Sequence, residues 1–108
     1  DHVDGNIVVD GWQKNTGINL IEGINEFLEI GFYEFLLTNV NRDGTLEGPD
    51  LEFLQKACNI KSTKIIASGG ISNINDVLQV KNCNAYGVIL GKALYENKIL
   101  IEEAKKIA

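Results

Sequence analysis

Two glycine-bearing stretches carry the residue types best suited to chemistry. Ser68-Gly69-Gly70-Ile71-Ser72 follows the apolar run Lys64 to Ala67, and Gly91-Lys92 follows the run Tyr86 to Leu90. Bare backbone beside a helix start lets N–H groups point at an anion while the helix dipole favours its charge, which suits a phosphate. Taken alone, each stretch is equally a tight turn needing positive φ. At the ends of consecutive parallel strands, however, they would lie side by side and grip one phosphate, with Lys92 either assisting or facing solvent. Thr38 closes a third run, Glu34 to Thr38, and presents a hydroxyl at the same rim unless it is simply a β-branched strand residue. Asp43-Gly44 is a common turn pair that also carries a carboxylate. Asp1 is a further carboxylate, and Trp12 stands among Gly5, Gly11 and Gly17, where an indole either packs over the end of the fold or stacks on a ligand ring. His2, the one imidazole, has no evident partner and is expected at the surface. Spacing assigns neither Asp1 nor Asp43 an acid or base role, because their pKa values depend on burial and neighbours.

The elements that must hold these residues alternate. Leu20, Ile21, Ile24, Phe27 and Leu28 recur at helical spacing between about Asn19 and Ile30, with Gly31 where a C-terminal cap belongs. The run Glu34 to Thr38 suits a buried parallel strand. Asp50 then caps a helix whose inner face is Leu51, Leu54 and Ala57, ending near Cys58. Lys64 to Ala67 is the next strand, and Asn73 or Asn75 caps a helix faced by Val77, Leu78 and Val80. Tyr86 to Leu90 is a further strand, and Lys98 to Ile107 a closing helix striped by Ile99, Leu100, Ala104 and Ile107. The segment before the first helix reads as a polar loop. Such alternation demands an α/β fold with a parallel sheet, either a doubly wound open sheet or part of a (β/α)8 barrel.

Composition narrows the function. The chain has 108 residues, 44% hydrophobic and 23% charged, which describes one globular domain able to bury a core. Its ten basic and fifteen acidic residues leave a formal charge of -5 and a pI near 4.8. With one arginine, Arg42, and scattered lysines, no basic face is available for a nucleic-acid backbone, so any anion bound must be small. Cys58 and Cys83 are too few for a disulfide scaffold and lie far from metal-ligand spacing; buried thiols, no metal and a reducing cytoplasm are expected. No apolar stretch is long enough for a membrane span, and the amino end lacks a signal-peptide pattern. The chain opens on Asp1 and contains no methionine, so a preceding segment is expected, without which strand edges would stand open.

Taken in order, DHVDGNIVVDGW, LLTNVNRDGTLEGPD, IIASGGIS and GVILGKALYE resemble the carboxyl-terminal half of the phosphoribosylformimino-aminoimidazole carboxamide ribotide isomerases of histidine biosynthesis. The likeness spans nearly the whole chain. The T-x-x-x-R-D-G-T stretch and the A-S-G-G run are shared with the sister cyclase subunit of imidazole glycerol phosphate synthase. The DGW at Asp10 to Trp12 and the GVILGKALYE ending favour the isomerase, whereas KNTGI at Lys14 to Ile18 is similar to the cyclase. The resemblance implies the carboxyl-terminal half of a (β/α)8 barrel, from the end of strand five through helix eight, as a single piece. It also implies an Amadori rearrangement of a bis-phosphorylated substrate, with no metal or organic cofactor. By position, Asp1 matches the general acid and Thr38 a residue orienting the reacting groups. Gly69, Gly70, Gly91 and Lys92 match the phosphate loops, Trp12 matches a tryptophan on a substrate-covering loop, and Asp43 and Gly44 fall where a supporting role is open. The family's general base belongs to the missing amino-terminal half-barrel, so the lone chain is expected to bind phosphorylated sugar weakly and to catalyse little. Two alternatives stand beside this one: the cyclase, or a non-catalytic phosphate-binding half-barrel that pairs with itself to bury its open edges.

Overall fold

A computed structural model describes residues 1–108. Its first segment is not a loop. Asp4 and Gly5 both take positive φ, +46° and +92°, and reverse the chain tightly between β1 (His2–Val3) and β2 (Asn6–Val9). An Asp-Gly pair is a strong hairpin signal because only such residues tolerate this geometry. A second reversal through Asp10, Gly11 and Trp12, all at positive φ, leads to β3 (Lys14–Asn19), and the three strands form an antiparallel sheet. The alternation is hidden in the sequence because most of these positions are exposed, leaving little apolar periodicity to read.

The remaining elements alternate as expected. Asn19 caps α1 (Leu20–Glu29) by accepting the Ile21 N–H at 2.9 Å, and Gly31, at φ +105°, lets the chain leave the helix. β4 (Glu34–Thr38), β5 (Lys64–Ser68) and β6 (Gly87–Val88) pair in parallel in chain order, with Thr38 opposite Ser68 and Ala67 opposite Val88. Between them run α2 (Leu51–Cys58) and α3 (Ile74–Asn82), the latter capped by Asn73 rather than Asn75. β6 is shorter than the expected Tyr86 to Leu90, although Tyr86 and Ile89 still donate to the Ile65 and Ala67 carbonyls at 2.7 and 2.9 Å. With a neighbour on one side only, its ends are not held in a full ladder. The closing helix starts later than the expected Lys98. A short α4 (Lys92–Tyr95) is followed by Asn97 at φ +59°, and α5 begins only at Ile101 (Ile101–Ile107).

The core lies between the parallel sheet and its helices. Leu37, Ile65 and Ala67 point toward Leu20, Ile24, Leu54, Ala57, Val77 and Val80, all buried. The opposite sheet face is uncovered: Leu36, opposite Ile66 in the ladder, is 54% exposed. Just past the end of β4, His2 makes an isolated parallel bridge to Asn39, which sets the antiparallel sheet beside the parallel one. No helix is long and apolar enough to cross a membrane. Ile65, 2% exposed at the centre of the sheet, should lose about 2–5 kcal/mol of stability on Ile65→Ala, measured by urea denaturation.

Candidate functional site

Parallel pairing carries the two glycine loops to one rim, where a cleft of about 110 Å³ is lined by Gly69, Gly70, Gly91 and Lys92 and, from the β4–α2 loop, by Asp43 and Gly44. Gly69 and Gly70 adopt φ of +98° and +80°, the left-handed region that disfavours a side chain. Their close approach is to the chain's own backbone. A Cβ on Gly70 would run into the Gly48 carbonyl, and one on Gly69 would lie 3.4 Å from Asp43 backbone. The Gly48 N–H donates to the Gly70 carbonyl at 2.9 Å, and Arg42 Nη1 donates to the Gly48 carbonyl at 3.2 Å, so the β4–α2 loop is laced onto the Gly69-Gly70 loop. Gly91 differs: nothing lies within 4 Å of where its Cβ would be.

The helix start behind the first loop is held by Asp76, which is buried. Its carboxylate accepts from the Ser72 N–H at 2.8 Å and the Ser72 hydroxyl at 2.6 Å, while Asn73 Oδ1 accepts the Asp76 N–H at 3.0 Å. Those Ser72 donors are therefore occupied, and an anion in the cleft would meet backbone of the glycine loops and Lys92. Asp43 shares the same cleft, so a carboxylate stands there with the Lys92 ammonium.

Asp1, Thr38 and Trp12 lie outside the cleft lining. Thr38 is buried at the carboxyl end of β4. Trp12, 44% exposed, donates its indole Nε1–H to Asp1 Oδ2 at 2.7 Å, which orients the carboxylate and places the tryptophan loop over it. Neither thiol joins the site. Burial pushes the Cys58 pKa up to about 11 and raises that of Cys83, so both stay protonated near neutrality.

A polar cluster behind the rim has no counterpart in the sequence reading. His2 is not at the surface but 1% exposed, packed edge-on to Phe53 with ring centroids 5.3 Å apart. Its Nδ1 accepts the Gly5 N–H at 3.0 Å, which requires the neutral ring. Nearby, buried Asn39 bridges Asp4 and Asp50. The Asp4-Gly5 hairpin pair was the available signal, because closing that turn folds His2 inward against α2.

Among known proteins, residues 1–100 match the family described as histidine biosynthesis protein. A protein of Nitrosopumilus maritimus (strain SCM1) is 64% identical over 107 residues, covering 99% of this chain and 45% of its own length. One of Cenarchaeum symbiosum (strain A) is 52% identical over 104 residues, 96% of this chain and 44% of its own. A third, of Clostridium acetobutylicum, is 39% identical over 104 residues with the same coverage. Each is named 1-(5-phosphoribosyl)-5-((5-phosphoribosylamino)methylideneamino)imidazole-4-carboxamide isomerase. The chain thus spans a little under half the length of these curated relatives.

Two outcomes follow from the geometry. Burial holds the His2 pKa below its usual 6.5, against the partial opposition of the Asp50 carboxylate. The unfolded chain therefore takes up the proton first, and stability that is complete above pH 6.5 is lost as the pH falls through the lower folded value. Denaturation midpoints between about pH 7 and pH 5 should fall, and His2→Gln should flatten that slope. Gly70→Val should cost about 1–3 kcal/mol through strain and contact with Gly48, whereas Gly91→Ala should change stability by less than about 0.5 kcal/mol, both read by urea denaturation.

Proposed function

Because the chain belongs to the histidine biosynthesis protein family, we propose that it forms the carboxyl-terminal half of a (β/α)8 barrel. The whole barrel carries out an Amadori rearrangement of a bis-phosphorylated aminoimidazole carboxamide ribotide, an intramolecular aldose–ketose isomerisation. The observation that carries this reading is the meeting of Gly69, Gly70, Gly91 and Lys92 in one cleft at the carboxyl ends of β5 and β6, the rim where barrel enzymes hold phosphate. The parallel sheet runs β4, β5, β6 in chain order, the sequential arrangement that barrel strands have, and this adds support. The uncovered sheet face and the free edge of β6 are what the other half of such a barrel would cover.

In this reading Asp1 is the general acid. It gives its proton to the furanose ring oxygen as the C1–O bond breaks and the nitrogen lone pair forms the imine; a carboxylate supplied by the other half then removes the C2 proton to give an enaminol, which gains a proton at C1 and loses its hydroxyl proton to become the aminoketone. Thr38, at the end of the adjacent strand, orients the reacting groups, and Trp12 covers the substrate from its loop. The backbone cradle fixes one terminal phosphate, which converts binding energy at a remote group into alignment at the reacting carbons. All three relatives described above are named isomerases, which favours this reaction over the cyclase.

The test grafts this chain in place of the segment it matches in the Nitrosopumilus maritimus relative. The graft should isomerise the ribotide, Asp1→Asn should lower kcat by about 10²- to 10⁴-fold, and Gly91→Ala should weaken ribose 5-phosphate binding by calorimetry. The lone 108-residue chain should show no measurable turnover. Near-normal turnover of the Asp1→Asn graft would move the acid to another residue, and turnover by the lone chain would refute the need for a second half.

A further inference from the structure

One buried carboxamide ties three elements together. Asn39 follows Thr38, is 4% exposed, and employs each polar atom of its side chain. Its Nδ2 donates to Asp4 Oδ1 at 3.2 Å and to Asp50 Oδ2, and its Oδ1 accepts the Asn41 N–H at 3.1 Å. Asp4 sits in the turn between β1 and β2 and takes a second bond, from Asn41 Nδ2 at 3.1 Å. Asp50 caps α2 through the Phe53 N–H at 3.3 Å. The backbone repeats the connection: Val40 N–H donates to the His2 carbonyl at 2.9 Å. Asn39 therefore joins the β1 end, the β4 end and the start of α2.

Two carboxylates converging on one side chain repel each other, and here both are answered by N–H donors of the same amide. No other residue makes that three-way link. From this geometry we infer that Asn39 is a positioning residue, whose carboxamide fixes the Asp4 turn after β1 and so holds that two-residue strand, with Asp1 just before it, beside the strand end bearing Thr38. The inference rests on the isomerase reading above, because it needs Asp1 and Thr38 to act on one substrate. The Asn39 side chain does not line the glycine cleft, so its effect should fall on the chemical step and leave the phosphate grip alone. Displacing a reacting group by about 1 Å is enough to lower a rate by orders of magnitude.

The test exchanges the polarity of the pair in the graft described above. Asn39→Asp swaps the two donors for a third carboxylate facing Asp4 and Asp50, with the buried His2 ring beside them and Lys56 Nζ over the Phe53 ring, 4.9 Å from its centre. At neutral pH, kcat per folded enzyme should fall at least about tenfold, with KM changed less than about twofold. As the pH is lowered, the introduced carboxylate takes up a proton and regains one donor, so the ratio of variant to wild-type kcat should rise. Adding Asp50→Asn restores a donor–acceptor pair in reversed sense, and asparagine also caps helices well, so the double variant should recover most of kcat. Unchanged kcat in Asn39→Asp, a raised KM at constant kcat, or a double variant no better than the single one would each overturn the inference. An inactive wild-type graft would instead overturn the isomerase reading, and with it the role given to Asn39. Urea denaturation then still judges the three-way link: it stands if Asn39→Asp is destabilised more at neutral than at acid pH and is rescued by Asp50→Asn, and falls if stability is unaffected.

Discussion

A parallel ladder places the carboxyl ends of all its strands at one rim, and the organisation of this protein depends on that constraint. Thr38 faces Ser68 in the β4–β5 ladder, and Ala67 faces Val88 in the β5–β6 ladder. The loops after β5 and β6 therefore leave the sheet at the same level, and their glycines border the same cleft. Parallel strands cannot be joined by hairpins, so each connection must pass through a helix on the outer face. That requirement puts Leu54, Val77 and Val80 over Ile65 and Ala67, and it builds the core and the rim in one step.

The rim is then shaped by backbone contacts. Gly69 and Gly70 accept left-handed geometry, and the loop from Arg42 to Gly48 folds onto them through a backbone bond and a guanidinium contact to the Gly48 carbonyl. A chain with a formal charge of -5 has no excess of cations to attract an anion at long range. In the proposed phosphate site, N–H groups held in a fixed loop would supply a field that does not depend on that overall balance. The lacing of one loop to another keeps those groups in place, as the proposed phosphate site would require.

The opening hairpin gives the rim its remaining side. The turn at Asp4 and Gly5 tucks His2 against Phe53, carries β1 alongside Asn39, and leaves Asp1 bonded to the Trp12 indole. Its polar groups are buried only because they satisfy one another: His2 with the Gly5 N–H, and Asn39 with two carboxylates. A buried polar group without a partner costs more than most single hydrophobic contacts supply, so such a cluster specifies one arrangement closely.

The sequence by itself determined the local elements. Helical spacing located α1, α2 and α3 to within a residue or two, Asp50 marked the start of α2 and the Asn73 and Asn75 pair bracketed that of α3, and the apolar runs located β4 and β5. These features depend on neighbours a few residues apart, which is the range over which periodicity and capping act. It also singled out the glycine loops that border the cleft. Tertiary structure alone decided the rest: that β6 is short, that the closing helix starts only at Ile101, that His2 is interior, and that Asn39 joins Asp4 to Asp50. Those outcomes turn on groups distant in sequence, Asn39 and Asp4 being 35 residues apart. No local pattern records which distant partner will satisfy a polar side chain once water is excluded from it.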